Sequence, residues 1–227
     1  MNIASVEKEM MQYYDERAKE YDLIYSGKGP ASLKEDSYFR DVEKVSSIVQ
    51  RYGNGRIIDI ACGTGYWFPK YATNCTDFTF VDQSKEMLEE CRKRVISQCY
   101  INKAKFVQMN ALDLVLDTKF DSAIIGFWLS HFTDKQERRF FSLLKDILSD
   151  NGTFLVLDST WTDERKKVRT KEEIQERKLN DGRQFKIYKK YFDENDVYQM
   201  ADKNGFRILN MYLGEAFLTF KACFENK

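Results

Sequence analysis

Two carboxylates and a loop of small residues are the part of this sequence best suited to bind a ligand. Asp59 lies inside the end of the apolar run 57–60, and the run is followed by the loop 61–65, which reads Ala-Cys-Gly-Thr-Gly. Asp82 ends a second apolar run, 78–81, and stands 23 residues after Asp59. An acid at that place can accept hydrogen bonds from both hydroxyls of a ribose. Asp59 would repel a phosphate, and it suits a cationic or amino-bearing ligand instead.

The glycines of the loop decide which ligand class it serves. A side chain at Gly63 or Gly65 would hold a ligand away from the backbone. A buried strand that ends in such a loop before a helix is typical of ligand sites in doubly wound α/β proteins. A dinucleotide site needs the pattern G-x-G-x-x-G, and Phe68 stands where the third glycine belongs. The loop therefore argues against a dinucleotide oxidoreductase.

The pattern D-x-A-C-G-T-G-x-W at 59–67, followed by Asp82, resembles motif I and the next acidic motif of class I S-adenosylmethionine-dependent methyltransferases. The wording is close to small-molecule members, and the similarity extends over residues 38–224. The resemblance implies that S-adenosylmethionine is bound and S-adenosylhomocysteine released. A strand-turn-helix of some other α/β protein is the remaining alternative. The cofactor-binding residues that the resemblance implies are Tyr14, Asp59, Ala61, Cys62, Gly63, Gly65, Asp82, Gln83, Met87, Asn110, Ala111, Leu112 and Phe127.

Several of these residues carry a specific expectation from the resemblance. Asp59 and the loop backbone would hold the methionine part of the cofactor, and the turn 110–112 would bracket its adenine. Asn110 stands where the family has an acid, so its amide would replace that acid. The backbone of Cys62, rather than its thiol, would contact the cofactor. Met87 could touch the adenine or serve the core.

His131 and Tyr21 are the candidate catalytic residues. A sulfonium methyl is already electrophilic, so the protein must mainly align the nucleophile and keep it unprotonated. His131 is the only histidine of the chain, it follows the strand end that faces the methyl group in the family, and its ordinary pKa suits a general base. Orientation of a loop, or capping of the next helix, is the other role open to it. Tyr21 is a candidate substrate wall or hydrogen-bond donor, although Tyr14 and Tyr21 could both simply pack.

The elements that position these residues indicate an α/β fold. We expect a Rossmann-like doubly wound sheet, mostly parallel, with an antiparallel C-terminal edge and an N-terminal helical cap. Residues 1–37 would form the cap, with a helix over 3–21 and a mobile loop at 26–30, and residues 38–227 the S-adenosylmethionine-binding domain. A helix should follow the cofactor loop as far as residue 73. The predicted strands are 57–60, 78–81, 105–109, 121–127, 153–157, 206–213 and 216–224.

The segment 159–190 is predicted to be an insert on the substrate side of the domain. Hydrophobic periodicity fades here, and residues 163–190 carry eleven Lys or Arg against six Asp or Glu. Such a run usually indicates a solvated face. Within the insert, residues 179–188 are typical of a hairpin or of a turn and strand. In the family this is the place where an element covers the substrate.

Composition limits the other partners. Thirty-six basic residues balance thirty-six acidic ones, so no overall field attracts nucleic acid or a membrane. The five cysteines show no C-x-x-C spacing, and we expect neither disulfides nor a metal. The first residues lack the apolar block of a signal peptide, and no apolar run approaches membrane-spanning length. We expect a cytoplasmic protein, and the sequence does not indicate its oligomeric state.

The scarcity of proline reduces the classes of methyl acceptor that we expect for this chain. The family members that methylate nucleic-acid bases carry proline motifs near the fourth strand, and this chain has only Pro30 and Pro69, so DNA is not expected as a partner. The basic run 165–169 leaves RNA methylation as an alternative. A non-catalytic S-adenosylmethionine-binding protein is another. Our interpretation is methyl transfer to an O or N atom of a small molecule, such as a natural product or a quinone-like metabolite.

Overall fold

A central sheet organises the molecule. The computed structural model describes residues 3–28 and 33–225, with side chains from residue 6 onward in the first range. Seven strands of this described part form the sheet, and two more form a separate hairpin. Their bounds are β1 Gly55–Ile60, β2 Cys75–Asp82, β3 Ala104–Gln108, β4 Phe120–Gly126, β5 Leu148–Ser159, β6 Glu172–Lys178, β7 Gln184–Lys190, β8 Phe206–Leu213 and β9 Phe217–Phe224, with β6 and β7 in the hairpin. The strand order in the sheet is β3-β2-β1-β4-β5-β9-β8.

Helices flank both faces of the sheet. The α-helices are α1 Ile3–Glu16, α2 Glu35–Val49, α3 Phe68–Tyr71, α4 Lys85–Ser97, α5 Asp134–Ile147, α6 Asp163–Lys166 and α7 Glu194–Asn204. Short 3-10 segments lie at Ala18–Ser26, Ala72–Asn74, Ile101–Lys103, Ala111–Asp113 and Leu129–His131. No helix among the described residues is both long enough and apolar enough to cross a membrane.

The sheet confirms the predicted Rossmann-like fold. Strands β1 to β5 pair in parallel, while β9 pairs antiparallel with β5 and with β8. The chain moves outward from β1 to β2 on one side and then returns to place β4 on the other side. The carboxyl ends of β1 and β4 therefore border the crevice in which open α/β sheets bind ligands.

Alternate residues of the strands supply two apolar layers. Ile58 and Ile60 of β1 join the cluster that packs against α5 and α7. Ile57 faces the other way, into the cluster formed with α2, α3 and α4. Because both faces are covered, the parallel strands read as nearly continuous apolar runs, which is why the sequence located them.

Side-chain caps fix the starts of two of the helices. The Ser84 hydroxyl accepts a hydrogen bond from the N–H of Met87 at 3.1 Å and caps α4. Thr133 with Gln136 forms a capping box at the start of α5. Such caps satisfy N–H groups that have no partner inside the helix, so they fix the point at which a helix begins.

Two predicted helices are shorter than expected. The helix expected over 3–21 ends at Glu16, and 3-10 geometry follows, in which the N–H of Glu20 donates to the Arg17 carbonyl at 2.9 Å. The helix expected to follow the cofactor loop is only α3 and one 3-10 turn. Both corrections concern segments whose ring side chains pack into the cluster formed with α2, α3 and α4, and this packing overrides helical periodicity. Residues 29–32 lie outside the described residues, so they leave the mobile loop expected at 26–30 only partly described.

The charged insert was only partly predicted. Its second strand, β7, and the turn before it agree with the expected turn and strand, but its first strand, β6, was not predicted. Along each of the two strands, alternate residues are buried, and α1 packs against β7. The N–H of Lys186 donates to the Glu9 carboxylate at 2.9 Å. The insert is therefore a hairpin that covers one end of the sheet together with α1.

Candidate functional site

The carboxyl ends of β1, β2 and β4 form one wall of a cleft of about 380 Å³, called the inner cleft. The remaining wall comes from α1 and the 3-10 segment that follows it. The inner cleft is lined by Tyr14, Tyr21, Ala61, Gly63, Asp82, Gln83, Ser84, Met87, Gly126, Phe127 and Trp128. Eight of these were predicted to bind the cofactor or to act in catalysis. The other three, Ser84, Gly126 and Trp128, were not predicted as site residues. Each is a sequence neighbour of a predicted residue, and that position brings it into the lining.

Asp82 is fixed in the inner cleft by backbone donors. Its Oδ2 accepts from the N–H of Gly63 and its Oδ1 from the N–H of Ser84, each at 2.9 Å. Burial raises the pKa of Asp82 to about 6, although these N–H groups oppose the shift. Each carboxylate oxygen keeps a further lone pair, so Asp82 can still accept hydrogen bonds from a ligand's hydroxyls.

The backbone of the inner cleft is held in an uncommon conformation. Ala61, Gly63 and Phe127 have φ values of 53°, 53° and 56°, in the left-handed region. Such conformations are disfavoured for residues with a side chain, and they cluster at ligand sites. A Cβ on Gly63 would lie 3.9 Å from Tyr21 Cε1 and 4.0 Å from Met87 Sδ, so these two side chains bound the space in front of the glycine.

Three predicted residues of the loop region do not line either cleft. Asp59 is buried, its Oδ2 accepts from the Tyr71 hydroxyl at 2.7 Å, and burial raises its pKa to about 7. The Cys62 thiol lies 3.6 Å from the Gly63 carbonyl oxygen, and burial raises its pKa. Gly65 packs against α4, where an added Cβ would come within 2.8 Å of a cysteine sulfur. Their assigned contacts stay predictions.

The turn predicted to bracket the adenine is also outside both clefts. Asn110 Oδ1 accepts from the N–H of Leu112 at 2.9 Å, which closes the turn. Ala111 is buried in the core cluster of α5 and α7, and Leu112 packs on that cluster. The sequence position was right for a strand-end turn, and the contacts of this turn with the adenine stay predictions.

A second cleft, called the outer cleft, encloses about 570 Å³ of space that is partly open to solvent. It is bounded by α1, the end of β5, α6 and the hairpin. The residues that line it are Tyr14, Arg17, Tyr21, Ile24, Tyr38, Phe127, His131, Ser159, Arg165, Arg177, Lys189, Tyr191 and Phe217. Tyr14, Tyr21 and Phe127 line both clefts and so mark the place where the two meet.

His131 and Tyr14 form a hydrogen-bonded pair at this junction. Tyr14 Oη lies 2.8 Å from His131 Nε2, and His131 Nδ1 lies 2.6 Å from the Tyr188 carbonyl oxygen. Because a carbonyl only accepts, Nδ1 carries the proton, and Nε2 accepts from the Tyr14 hydroxyl. Burial, and then the positive charge of Lys189, lowers the pKa of His131 to about 3. The imidazole is therefore neutral, and it ties α1 to the hairpin.

The outer cleft corrects the prediction that the charged insert is a solvated face. Arg165, Arg177 and Lys189 belong to the insert, and all three are buried, as is Arg17 beside them. The hairpin folds back over the sheet end, so alternate positions of its strands point inward whatever their charge. Sequence reasoning missed these residues because a run of Lys and Arg has no apolar period by which to recognise a buried face.

The described residues form no metal site. Across residues 3–28 and 33–225, no group of three or more His, Cys, Asp or Glu side chains is placed to hold a metal ion. The polar groups of the two clefts are instead backbone N–H groups, one carboxylate, hydroxyls and cations.

Two relatives of known sequence match this chain. An uncharacterized protein from Methanocaldococcus jannaschii is 26% identical over 215 residues, which cover 87% of this chain and 76% of that protein. The ubiquinone/menaquinone biosynthesis C-methyltransferase UbiE from Wigglesworthia glossinidia brevipalpis is 28% identical over 107 residues, or 45% of this chain and 42% of that enzyme.

Solved structures share the fold over the whole chain. The structure of the DhpI–SAH complex has a TM-score of 0.77 at 22% identity, with 99% of each chain covered. A complex of DhpI with SAM and HEP has the same TM-score at 23% identity, covering 96% of this chain and 98% of that chain. The glycopeptide N-methyltransferase MtfA with S-adenosylmethionine has a TM-score of 0.61 at 15% identity, covering 81% and 87%.

The part of the chain that matches a family model contains most of the inner cleft. Residues 57–152, which include β1, the loop after it and β4, match the sequence model described as a methyltransferase domain. This range supplies every lining residue of the inner cleft except the two tyrosines of the N-terminal segment. With the strand order and the loop–acid motif, this match over residues 57–152 supports a class I S-adenosylmethionine-dependent methyltransferase.

Proposed function

We propose that this methyltransferase transfers a methyl group from S-adenosylmethionine to an O or N atom of a small molecule bound in the outer cleft. The junction of the two clefts is the observation that carries this proposal. Tyr14, Tyr21 and Phe127 line both spaces, so a ligand in each would meet at these residues. Holding two reactants against each other is the main requirement of a transfer whose methyl donor is already reactive.

The inner cleft fits the cofactor. Asp82 would hold the ribose hydroxyls, since each of its oxygens keeps a lone pair after bonding the backbone. The open space in front of Gly63, bounded by Tyr21 and Met87, would admit the methionine part close to the backbone. When bound, S-adenosylmethionine supplies an electrophilic sulfonium methyl. Two further predicted contacts, at Ala61 and Gln83, lie in the same cleft.

The cover over the outer cleft supports a small acceptor. It consists of α1 and the hairpin, and α1 lies directly against β7. The names of two similar proteins agree with an acceptor other than a nucleic acid, because one is a C-methyltransferase of ubiquinone and menaquinone biosynthesis and the other a glycopeptide N-methyltransferase. A natural product or quinone-like metabolite remains within this class.

His131 is better placed to position other groups than to take a proton from the acceptor. Its Nε2 is occupied by the Tyr14 hydroxyl, and its pKa of about 3 opposes protonation. We infer that His131 holds Tyr14 at the junction and anchors the hairpin through the Tyr188 carbonyl. A general-base role remains a prediction, and it would have to act through Tyr14.

RNA is not favoured by the basic run 165–169. The Arg165 guanidinium is buried and donates to the carbonyls of Thr160 and Ala216 at 2.8 and 3.0 Å. Lys166 and Lys167 pair with acids three residues before them. These contacts leave the run with less charge to offer to phosphates.

Binding and turnover can be tested with the purified full-length protein. Calorimetry should detect binding of S-adenosylhomocysteine, and incubation with S-adenosylmethionine and a metabolite extract should release S-adenosylhomocysteine. Absence of cofactor binding would refute the proposal. Binding without release in any extract would indicate the non-catalytic alternative, and release only with RNA, lost at high salt, would indicate RNA methylation.

A further inference from the structure

The outer cleft contains no carboxylate that could take a proton from a methyl acceptor. None of its described lining residues is Asp or Glu. An acceptor hydroxyl or amine loses a proton when its O or N atom takes a methyl group, and a positioned side chain speeds that loss. Arginine does not give up its proton in proteins, so the base must come from the histidine, the tyrosines or the lysine of the lining.

Three of these candidates are poorly suited to the role of base. Both ring nitrogens of His131 are occupied, one by the Tyr14 hydroxyl and the other by the Tyr188 carbonyl. Burial raises the pKa of Tyr14 well above its ordinary value, and it also raises the pKa of Tyr21. A phenol with a raised pKa keeps its proton at neutral pH, so neither tyrosine is a ready base.

Lys189 is held against the strand ends that border the two clefts. Its Nζ donates to the Ser130 hydroxyl and lies 3.3 Å from Asp158 Oδ1. Asp158 is fixed in turn, because its Oδ2 accepts from the N–H of Ser130 at 3.0 Å and its Oδ1 from the N–H of Ser159 at 2.7 Å. Asp158 lies near the end of β5 and Ser130 follows β4, so two neighbouring strands place the amine.

This arrangement leaves one position of the amine for the outer cleft. A neutral amine has two N–H bonds and one lone pair in tetrahedral directions. The two N–H bonds have buried partners, since Ser130 and Asp158 are both 0% exposed. Lys189 itself lines the outer cleft, so its lone pair is left for a group in that space. Lysine serves as a general base in proteins where burial favours its neutral form.

The charges around Lys189 decide how readily it gives up its proton. Burial lowers the pKa of Lys189, and the positive charge of Arg177 on β6 acts in the same direction. Asp158 on β5 and Tyr191, which follows β7, oppose the shift. His131, which follows β4, is neutral and adds no charge. The pKa is lowered on balance, so a larger fraction of this amine is neutral than of an amine at the surface.

We infer that Lys189 is the base that takes the proton of the acceptor, and that Asp158 is the positioning residue that holds its amine. The inference rests on the proposed function, since it names a further catalytic residue of that reaction. As the acceptor atom uses an electron pair to form the bond to the methyl carbon, its O–H or N–H bond breaks and the proton passes to the lone pair of Lys189 Nζ. The C–S bond breaks with its electron pair, which leaves the sulfur uncharged. Asp158 stabilises the ammonium until it loses the proton to solvent in the partly open cleft.

NMR of the lysine side chains tests whether the amine becomes neutral as the inference requires. The full-length protein is prepared with isotope-labelled lysine and saturated with S-adenosylhomocysteine, and the Cε signals are followed as the pH is raised. The Lys189 signal is assigned by its loss in Lys189→Arg or by its contact with the Tyr191 ring, whose centre lies 5.7 Å from Nζ. We expect Lys189 to titrate at a lower pH than Lys178, which is exposed on β6. Titration together with Lys178 or after it would overturn the inference, because the amine would then stay charged.

Turnover separates a catalytic role of Lys189 from a structural one. Release of S-adenosylhomocysteine from S-adenosylmethionine is measured at several pH values with the metabolite extract that supports it. Lys189→Arg keeps the charge and the donors but cannot accept a proton, so release should fall by about a hundredfold or more, within the range for general-base catalysis. Its affinity for S-adenosylhomocysteine should stay unchanged, and Lys178→Gln is the matched control with normal release. Release by the unsubstituted protein should rise with pH around the midpoint of the Lys189 titration.

Normal release by Lys189→Arg would overturn the inference, and release that is lost only in Tyr191→Phe would assign the proton to Tyr191 instead. The NMR titration of the unsubstituted protein decides the inference if Lys189→Arg does not fold. These results refute the base alone, because the unsubstituted protein still releases S-adenosylhomocysteine. If it binds S-adenosylhomocysteine but releases none in any extract, the proposed function is refuted, and the inference falls with it.

Discussion

The inner and outer clefts share a wall but are assembled from the chain in different ways. Most of the inner cleft comes from strand ends and loops within 61–87 and 126–128, and its polar groups are backbone N–H groups and the carboxylate of Asp82. The outer cleft draws on α1, the end of β5, α6, both hairpin strands and β9, and its polar groups are cations and hydroxyls together with the His131 imidazole. A ligand common to a whole family can be held by a local motif, whereas on the proposed function the acceptor would be recognised by side chains that only the tertiary fold brings together.

The largest effect in a test of this difference between the clefts is expected from a substitution at Gly63. A valine there would be strained at φ 53° and would fill the space bounded by Tyr21 and Met87, so S-adenosylhomocysteine affinity should fall at least about a hundredfold. Calorimetry measures the change. Gly205→Val is the control, because Gly205 has a similar φ of 66° with nothing within 4 Å of an added Cβ. Equal losses in both variants would show that backbone strain, not the cleft, explains the result.

Removal of the carboxylate in the inner cleft is expected to have the next largest effect. Asp82→Ala should weaken S-adenosylhomocysteine binding by about 1–3 kcal/mol, the range for a hydrogen bond to a charged group. Asp77→Ala, at an exposed position of the same strand, should have no effect. Unchanged calorimetric affinity in Asp82→Ala would contradict the assignment of this acid to the ribose.

The outer cleft should impose its own pH dependence on stability through His131. The folded pKa of about 3 lies below the ordinary value, so the unfolded state takes up a proton that the folded state refuses. The free energy of unfolding should therefore fall by about 2 kcal/mol as the pH drops from 6.5 to 5, relative to a His131→Gln variant. Urea denaturation at both pH values checks this. Parallel curves for the two proteins would mean that the imidazole is not shielded as the structure shows.

The inner cleft should show a pH dependence in binding. Since the pKa of Asp82 is raised to about 6, its carboxylate is increasingly protonated below that pH and loses its capacity to accept from the ribose. S-adenosylhomocysteine affinity should be level above pH 7 and fall toward about tenfold per pH unit well below pH 6. In Asp82→Asn the curve should flatten, and any slope left would report Asp59, whose pKa is raised to about 7. A wild-type curve that stays level down to pH 4.5 would contradict the prediction.

Much of the fold could be read from the sequence because its signals are local. The strands around Ile58 and Phe80 are apolar on both faces, and the helices that begin after Ser84, Thr133 and Asp193 are capped by these side chains. The inner cleft was found largely for the same reason, since its loop and acid belong to one strand-turn-helix unit and the strand after it.

The features that the sequence left open depend on partners that the fold brings together. Asp59 was predicted to hold the methionine part of the cofactor, and that contact stays a prediction; in the structure the Tyr71 hydroxyl donates to its carboxylate. A charge run such as the one that includes Arg177 and Lys189 usually indicates a solvated face, but pairing of β6 with β7 and packing of α1 on the hairpin place these two residues inside. Neither contact leaves a pattern in the local sequence.

The sequence by itself determined the sheet, the glycine-containing loop and the carboxylate of the inner cleft, because apolar alternation, capping and left-handed backbone act over a few neighbouring residues. Only the tertiary structure decided that His131 bonds to Tyr14 and that arginines from α6, the hairpin and the N-terminal segment enclose one space. The physical reason is that burial of a charge depends on what folds over it. A charged residue in the chain carries no record of which element will cover it.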